Sequence, residues 1–173
     1  MIRIQVIDRD HAADIRIPNE PFALVGRMIP RYLDEQWGYD VEMFDTPSEM
    51  CFPDENYDYD AMCKDHVFVG AYEDDRCIGL AVLADGFFKH MYLEDLKVDR
   101  AYRGTGVGRR LIRTANEIAL DRGYHGLYTI GQDNNLIACR FYLSAGFRIG
   151  GLDTEVYKGT SQEGKADIIF YLD

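Results

Sequence analysis

The sequence of 173 residues contains no long hydrophobic run. A helix that crosses a membrane needs about 20 consecutive apolar residues, and no segment approaches that length. The first residues, Met1–Val6, alternate apolar and polar side chains and lack the apolar core of a signal peptide. We therefore expect a cytoplasmic protein that has no membrane partner.

Positive charge is also scarce, because 19 Lys and Arg face 30 Asp and Glu and give a net charge of −11. An acidic surface repels nucleic acids and acidic membranes and attracts cations. With a hydrophobic fraction of 47%, the chain is expected to form one globular domain spanning 1–173. Whether that domain is a monomer or a homodimer stays open at this point.

Metal-ligand spacing is missing as well. The cysteines Cys51, Cys63, Cys77 and Cys139 have no CxxC pattern and no neighbouring histidine. We expect reduced thiols, with a Cys51–Cys63 disulfide as the less favoured alternative in the cytoplasm. The four histidines form no pattern that indicates catalysis or metal binding, so no metal is expected.

The most informative feature that is present is the glycine-rich segment Arg103-Gly104-Thr105-Gly106-Val107-Gly108-Arg109. Glycines at alternate positions expose the backbone N–H groups of a loop, and a helix that follows adds the positive end of its dipole. The segment lacks the Lys-Ser/Thr of NTPase phosphate loops and the spacing of the dinucleotide-binding fingerprint. The segment is therefore expected to bind the pyrophosphate of a ligand other than those two classes recognise.

Preceded by Leu93–Val98 and followed by Leu111 and Ile112, this segment resembles the acetyl-CoA binding motif of the GNAT N-acetyltransferase superfamily. A second element, Asn135, Ala138 and Tyr142 before Gly146-Phe147, resembles a later helix of the same family. Spacings of three and four predict one helical face for these three residues. The resemblance implies acetyl-CoA as cosubstrate, bound by Leu96, Val98, Arg103, Gly104, Thr105, Gly106, Val107, Gly108, Arg109, Asn135, Ala138 and Tyr142.

Hydrophobic periodicity predicts the order of the other elements. Strands are expected at 2–7, 66–72, 77–84, 90–98, 127–130, 147–157 and 168–172, a hairpin within 22–45, helices at 107–122 and 135–145, and a loop at 46–65. This order indicates an α+β (α/β mixed) fold with a mixed central sheet and helices packed on it. The resemblance further implies that the sheet is splayed at the cofactor site, between the strands at 92–98 and 127–130.

The chemistry of the family implies direct attack by an amine on the acetyl thioester. Glu94 is the candidate general base, because strict alternation would place it on the face of Tyr92, Leu96 and Val98. Asp95, on the opposite face, is the second choice. Tyr142 is the candidate acid for the departing sulfur, and Asn135 is expected to hydrogen-bond the pantetheine arm.

Three segments extend the resemblance to the streptothricin (nourseothricin) acetyltransferases: 18–22, 132–139 and 151–157, together with the acidic stretch between Asp45 and Asp65. This resemblance implies acetylation of the β-lysine amine of a cationic antibiotic. Those enzymes usually carry a Glu where this chain has Ile130, and Trp-Asn where it has Phe87-Phe88. The candidate substrate-binding residues are Tyr39, Glu94, Asp153 and Glu155.

Two alternatives remain at this stage. Because of Ile130 and Phe87, the acceptor could be another small amine of the polyamine type. The chain could also be a CoA-binding module without catalysis, an interpretation that the presence of Glu94 and Tyr142 disfavours.

Overall fold

The computed structural model describes residues 1–86 and 88–173, and these residues form two compact units. The first unit combines Met1–Glu20 with Phe52–Leu127, and the second combines Pro21–Cys51 with Tyr128–Asp173. Phe87, one of the two departures from the streptothricin pattern, lies outside the described residues. A single domain over 1–173 stays a prediction.

The helices and strands follow one another along the chain in a strand-rich order. They are β1 (Ile2–Val6), β2 (Phe22–Leu33), β3 (Gln36–Met50), α1 (Tyr59–Met62), β4 (His66–Glu73), β5 (Arg76–Ala84), β6 (His90–Val98), α2 (Val107–Asp121), β7 (Gly126–Gln132), α3 (Leu136–Ser144), β8 (Arg148–Asp153) and β9 (Asp167–Leu172). Short 3₁₀ helices span Arg9–Arg16 and Arg100–Tyr102.

In the first unit the strands follow the order β1-β4-β5-β6, and each neighbouring pair is antiparallel. Helix α2 packs on this sheet with Leu111, Ile112 and Ala115 among its buried residues. Gly79 on β5 allows the close approach, because a Cβ there would lie 3.1 Å from Leu111 and 3.3 Å from Val107. The helix therefore lies close to the strands that precede the glycine-rich segment.

The opposite face of these strands has its own hydrophobic core. It consists of buried side chains from the start of the chain and from β4 and β5: Ile7, Ile15, Phe68, Tyr72, Leu80 and Val82. Because both faces of β4 and β5 are covered, their apolar residues form continuous runs rather than an alternating pattern. Strand β6 differs from them, because the charged residues Glu94, Asp95 and Lys97 interrupt its apolar sequence.

In the second unit, β2 and β3 form a long antiparallel hairpin. It turns at Asp34 and Glu35, whose φ angles of 50° and 60° are those of a tight hairpin turn. Strands β7, β9 and β8 are neighbours in that order, and β8 pairs antiparallel with β9. Helix α3 packs against β2 and β8.

The structure confirms most predicted elements and corrects two. The segment 46–65 is not wholly a loop, because β3 continues to Met50 and α1 forms at Tyr59–Met62. The predicted strand 147–157 ends at Asp153. Within residues 1–86 and 88–173, no helix is long and apolar enough to cross a membrane.

Candidate active site

The glycine-rich segment forms a tight loop that leads into α2. Gly104 and Gly106 have φ angles of +77° and +92°, which glycine adopts without strain. Gly106 is the N-cap of α2, and within the described residues no side chain caps this helix. The N–H groups of Val107 and Gly108 have no acceptor inside the helix, as is general for a first turn. The loop therefore offers backbone donors and a helix dipole at one place.

The space around these donors is open. A Cβ added at Gly104 or Gly106 would meet no described atom within 4 Å. Thr105 closes the loop from within, since its Oγ1 donates to the carbonyl of Tyr102 at 2.6 Å. An anion can therefore approach the amides without displacing protein atoms, and the loop fits a pyrophosphate.

The arginines around this loop differ in their surroundings. Arg103 donates from Nε to the carbonyl of Val98 at 3.0 Å, and its Nη2 lies 3.5 Å from the Glu20 carboxylate. Arg110, in the first turns of α2, donates to the carbonyl of Ile2 at 2.9 Å. Arg110 therefore tethers α2 to β1, and Arg103 remains beside the loop.

Strand β6 contains a β-bulge at the candidate base. Val82 pairs with Asp95 and Leu83 pairs with Leu93, so Glu94 is an extra residue in the ladder. A bulge interrupts the alternation of side chains along a strand. The prediction that Glu94 shares a face with Leu96 and Val98 by strict alternation is therefore wrong, because the bulge lies between them.

Cross-strand pairs show which residues of β6 share a face. Tyr92, Asp95 and Lys97 lie opposite residues that alternate along β5: Ala84, Val82 and Leu80. Leu96 and Val98 lie opposite Ala81 and Gly79, on the face covered by α2. Tyr92 therefore does not share a face with Leu96 and Val98, contrary to the prediction. Leu96 and Val98 share one face, as predicted.

Glu94 contacts a histidine that the sequence did not single out. His66 Nε2 lies 3.1 Å from Glu94 Oε2, and the two side chains are 20% and 36% exposed. His66 pairs with Ala84 on β5, and Ala84 pairs with Tyr92 on β6. The sequence alone does not reveal this contact, because it depends on the register of three strands. The predicted hairpin of β4 and β5 is the feature that could have suggested it.

Asp95, the second choice for a base, belongs to an internal network. Its carboxylate accepts a hydrogen bond from the hydroxyl of Tyr57 at 3.2 Å and lies 3.3 Å from Lys97 Nζ. Burial raises the pKa of Asp95 above its usual range, against the opposing effect of Lys97. Burial also raises the pKa of Tyr57, and the Asp95 charge adds to that rise. These partners tie Asp95 to the interior of the first unit.

Lys97 is the centre of this network. Its side chain is 8% exposed, it is hydrogen-bonded to Glu55, and it donates to the carbonyl of Ile17 at 3.3 Å. Burial favours a raised pKa for Glu55, but the hydrogen bonds from Lys97 and Asn19 outweigh it and the pKa is lowered. Lys97 therefore fastens the acidic segment before α1 to the strand that carries Glu94.

Replacing Lys97 with methionine should lower the free energy of unfolding by about 3 kcal/mol, because Glu55 and Asp95 lose their buried counter-charge. Urea denaturation measures the change. Lys158→Met is the matched control, since Lys158 and Glu155 form a pair at 2.8 Å whose side chains are 72% and 69% exposed. That control should change stability by less than about 0.5 kcal/mol. Equal losses in both variants would contradict a structural role for the Lys97 network.

In the second unit, Asn135 directly precedes α3 rather than lying within it. It is the N-cap of α3, and its Oδ1 accepts a hydrogen bond from the Ala138 N–H at 3.2 Å. Capping through Oδ1 leaves the Nδ2 group of the amide as a donor. Gly146 follows the C-cap Ala145 with a φ of +102°, so the predicted helix end is confirmed to within one residue.

Tyr142 is half-buried on α3 in an aromatic cluster. Its ring centroid lies 5.7 Å from that of Phe141 and 5.5 Å from those of Phe147 and Phe170. Aromatic packing of this kind fixes the plane of a ring and so the direction of its hydroxyl. Ala138, one turn earlier, is also half-buried.

The other candidate substrate residues have different surroundings. Tyr39 on β3 is 42% exposed, and Ile130 on β7 is 39% exposed. The Asp153 carboxylate accepts hydrogen bonds from the N–H groups of Glu155 and Val156 at 2.9 Å and 3.0 Å, which shapes a turn after β8. That turn gives Asp153 a structural task, while any contact of these residues with a substrate stays a prediction.

The segments that suggested the streptothricin pattern also hold each unit together. In the second unit Gln132 donates to the hydroxyl of Tyr157 at 2.7 Å, and Tyr157 donates to Asp167 at 2.8 Å. Burial raises the pKa of Tyr157 to about 12. In the first unit Asn19 donates to the carbonyl of Pro53 and to Glu55, both at 2.9 Å.

Comparison with known proteins identifies the family to which this geometry belongs. Residues 33–147 match the model of the acetyltransferase (GNAT) family. The chain is a GNAT N-acetyltransferase. Its sequence is 32% identical to streptothricin acetyltransferase A of Bacillus subtilis (strain 168), over 91% of this chain and 92% of that protein.

Solved structures support the same assignment. A protein of Bacillus anthracis str. Ames, described as a streptothricin acetyltransferase and solved with acetyl coenzyme A, is 28% identical with a TM-score of 0.89 over 99% of both chains. A nourseothricin acetyltransferase is 26% identical with a TM-score of 0.79, over 99% of this chain and 97% of that one. The predicted α+β fold with a mixed sheet and packed helices is thereby confirmed.

The comparisons confirm the enzyme class but test no individual site residue. Neither the base role of Glu94 nor the acid role of Tyr142 is tested by them, and both stay predictions. In the described part of the chain, no group of three or more side chains is arranged to hold a metal ion. The cysteines form no disulfide within those residues.

Proposed function

We propose that this acetyltransferase transfers the acetyl group of acetyl-CoA to a primary amine of a streptothricin-type antibiotic. The observation that carries the proposal is the 32% identity to a streptothricin acetyltransferase over 91% of the chain. The substrate of that relative is an expectation for this chain. A cytoplasmic location and a monomer or homodimer go with the proposal.

The acetyl-CoA donor would be held by the residues that the resemblance to the family assigns to it. In the first unit the amides that follow Gly106 would bind the pyrophosphate, with Arg103 and Arg109 beside the loop, and Leu96 and Val98 would contribute backbone groups. In the second unit the Nδ2 group of Asn135 would donate to the pantetheine arm, next to Ala138 and Tyr142. The open space around the loop glycines supports this assignment.

Catalysis would require that the amine nitrogen lose two protons, one before and one after its attack, and that the departing sulfur gain one. An alkylammonium has a pKa of roughly 10, so the amine must lose a proton before it attacks. Glu94 would accept that proton, directly or through one water. The amine nitrogen then bonds to the carbonyl carbon of the acetyl thioester, the carbon–sulfur bond breaks, and Tyr142 gives its proton to the departing thiolate. The acylated nitrogen loses its second proton to water and becomes the neutral amide, and Tyr142 regains a proton from water.

Electrostatics favours a cationic acceptor. The net charge of −11 attracts cations over long distances and raises their rate of encounter. Tyr39, Glu94, Asp153 and Glu155 are the residues we propose for substrate binding. Ile130 supports a second candidate, a small amine of the polyamine type, because Ile130 replaces the Glu that those enzymes usually carry and so removes a charge that could bind the antibiotic.

The decisive assay is the release of free thiol from acetyl-CoA with nourseothricin, spermidine and lysine as acceptors. We expect kcat/KM with nourseothricin to exceed the other two by at least about 100-fold, since a site built around polar groups rejects analogues that lack them. The Glu94→Gln variant is the control for enzymatic transfer. Equal rates with spermidine and nourseothricin would indicate that the acceptor is a polyamine rather than the antibiotic. Binding of acetyl-CoA without thiol release in the presence of any acceptor would indicate a non-catalytic module.

A further inference from the structure

His66 and Glu94 form a pair of which the proposed reaction uses only Glu94. They lie on β4 and β6, which are separated by β5, and their side chains meet where β5 carries Ala84. Nε2 and Oε2 are 3.1 Å apart, a hydrogen-bond distance. The methyl group of Ala84 is small enough to leave room for the two side chains to meet across the middle strand.

The other nitrogen of the ring identifies the donor. His66 Nδ1 is buried and has no hydrogen-bond partner among the described residues. A proton on Nδ1 would bury an N–H group without an acceptor, which is more costly than burying an unprotonated nitrogen. The favoured tautomer therefore carries its proton on Nε2, and that N–H donates to Glu94 Oε2.

The ring is also fixed in orientation. It stacks on Phe68 with a centroid distance of 6.3 Å and an angle of 16° between the planes. Phe68 is buried in the core of the first unit. Packing on Phe68 therefore fixes the direction in which His66 Nε2–H donates to the Glu94 carboxylate.

The direction of the Glu94 side chain depends on this hydrogen bond. As the extra residue of a bulge, it has no cross-strand partner of its own to set its direction. The neighbouring charged groups of the first unit bind one another instead: Lys97 pairs with Glu55 and Asp95, and Tyr57 donates to Asp95. Among the described contacts of Glu94, His66 is therefore the side chain that holds it.

We propose that His66 is a positioning residue for acetyl transfer. Its Nε2–H binds one oxygen of Glu94 and turns the other oxygen, on a carboxylate that is 36% exposed, toward the amine of the acceptor. This inference rests on the proposed function, since it gives His66 a task only if Glu94 accepts the proton of the amine. A misplaced base reduces the rate without weakening the binding of the donor.

The test compares His66→Leu with His66→Gln, using thiol release from acetyl-CoA with nourseothricin and with spermidine. Leucine fills the space but cannot donate, whereas glutamine keeps an N–H donor. We expect His66→Leu to lower kcat about tenfold, as the loss of a hydrogen bond to a charged group does, with the KM for acetyl-CoA changed less than twofold. His66→Gln should recover most of kcat.

A double-mutant cycle separates positioning from a general structural effect. In a Glu94→Gln background, His66→Leu should cause no further loss of kcat. His11→Leu is the matched control, because His11 and Asp8 form another histidine–carboxylate pair at 2.9 Å that has no part in the reaction. A loss of equal size in both backgrounds, or a His66→Gln variant no better than His66→Leu, would overturn the inference.

Two further measurements keep the outcome clear. If His66→Leu does not fold, as judged by its thermal transition, His66→Asn replaces it, because asparagine is too short to reach Glu94. The proposed function fails separately, through the absence of thiol release by the unchanged protein with nourseothricin and spermidine. If the unchanged protein released thiol and kcat were the same in the His66 variants, the positioning role of His66 would be refuted and the proposed function would stand.

Discussion

Gly106→Val should weaken acetyl-CoA binding by about 100-fold or more, as measured by calorimetry. The backbone amides after Gly106 are the proposed donors to the pyrophosphate, and each hydrogen bond to a charged group contributes about 1.5–3 kcal/mol. A Cβ at Gly106 meets no described atom within 4 Å, so the isopropyl group would occupy the space through which the anion approaches. The loss therefore arises from exclusion of the ligand rather than from a clash within the protein.

A control must account for the strain that valine adds. Gly106 has a φ of +92°, and a residue with a Cβ pays about 1–2 kcal/mol for a left-handed conformation. Gly123, just beyond the other end of α2, has a φ of +83° and equally open surroundings. Gly123→Val should thus cost similar stability in urea denaturation and leave the affinity for acetyl-CoA unchanged.

The comparison of the two glycines isolates the site. If both variants bound acetyl-CoA as the unchanged protein does, the loop would not be the pyrophosphate site. If both lost affinity equally, a general destabilisation of α2 would explain the result. Only a loss confined to Gly106→Val supports the loop geometry as the reason for binding.

The loop and its helix could be predicted because local features define them. Glycines at alternate positions and apolar residues at helical spacing specify the loop and α2 without reference to the rest of the chain. The hairpin β4–β5 was equally accessible, since two apolar runs flank a short polar turn at Asp74 and Asp75. Local sequence therefore predicted the frame on which the site is built.

The bulge at Glu94 could not be predicted in the same way. Within 90–98 the sequence is compatible with regular alternation, and the extra residue becomes visible only when Leu83 and Val82 are paired with Leu93 and Asp95. The role of a side chain next to a bulge is thus set by the partner strand. For the same reason the contact between Glu94 and His66 was missed.

Lys97 illustrates a different limit. A lysine in the last part of a strand indicates an exposed position in sequence terms, whereas the structure buries it to 9% exposure. Its counter-charge, Glu55, is 42 residues earlier in a segment expected to be a loop. Burial of a charge depends on such distant partners, and no local pattern reveals them.

The end of β3 shows why the acidic segment was misjudged. Its polar composition predicted a loop, yet the hairpin continues to Met50, which pairs with Phe22. Most side chains of β3 are exposed, so this strand needs little apolar content. Backbone pairing with β2 stabilises it, and composition carries no signal of that pairing.

Tyr142→Phe should lower kcat by about 100-fold, within the 10²–10⁴ that general acid catalysis contributes. The substitution removes only the hydroxyl, and the ring contacts with Phe147 and Phe170, both at 5.5 Å, are retained. The affinity for acetyl-CoA should therefore change less than about twofold. Steady-state thiol release gives kcat, and calorimetry gives the affinity.

Tyr171→Phe serves as the matched control. Tyr171 lies on β9 in the same unit and has an aromatic neighbour of its own, Tyr128, at 6.1 Å, but it has no part in the proposed chemistry. Its kcat should equal that of the unchanged protein. An unchanged kcat in Tyr142→Phe would remove Tyr142 from the acid role, and the thiolate would then leave without a proton from this side chain. If kcat and the affinity for acetyl-CoA fell together, the hydroxyl would instead help to bind acetyl-CoA. A group that only delivers a proton acts after acetyl-CoA has bound and leaves the affinity unchanged.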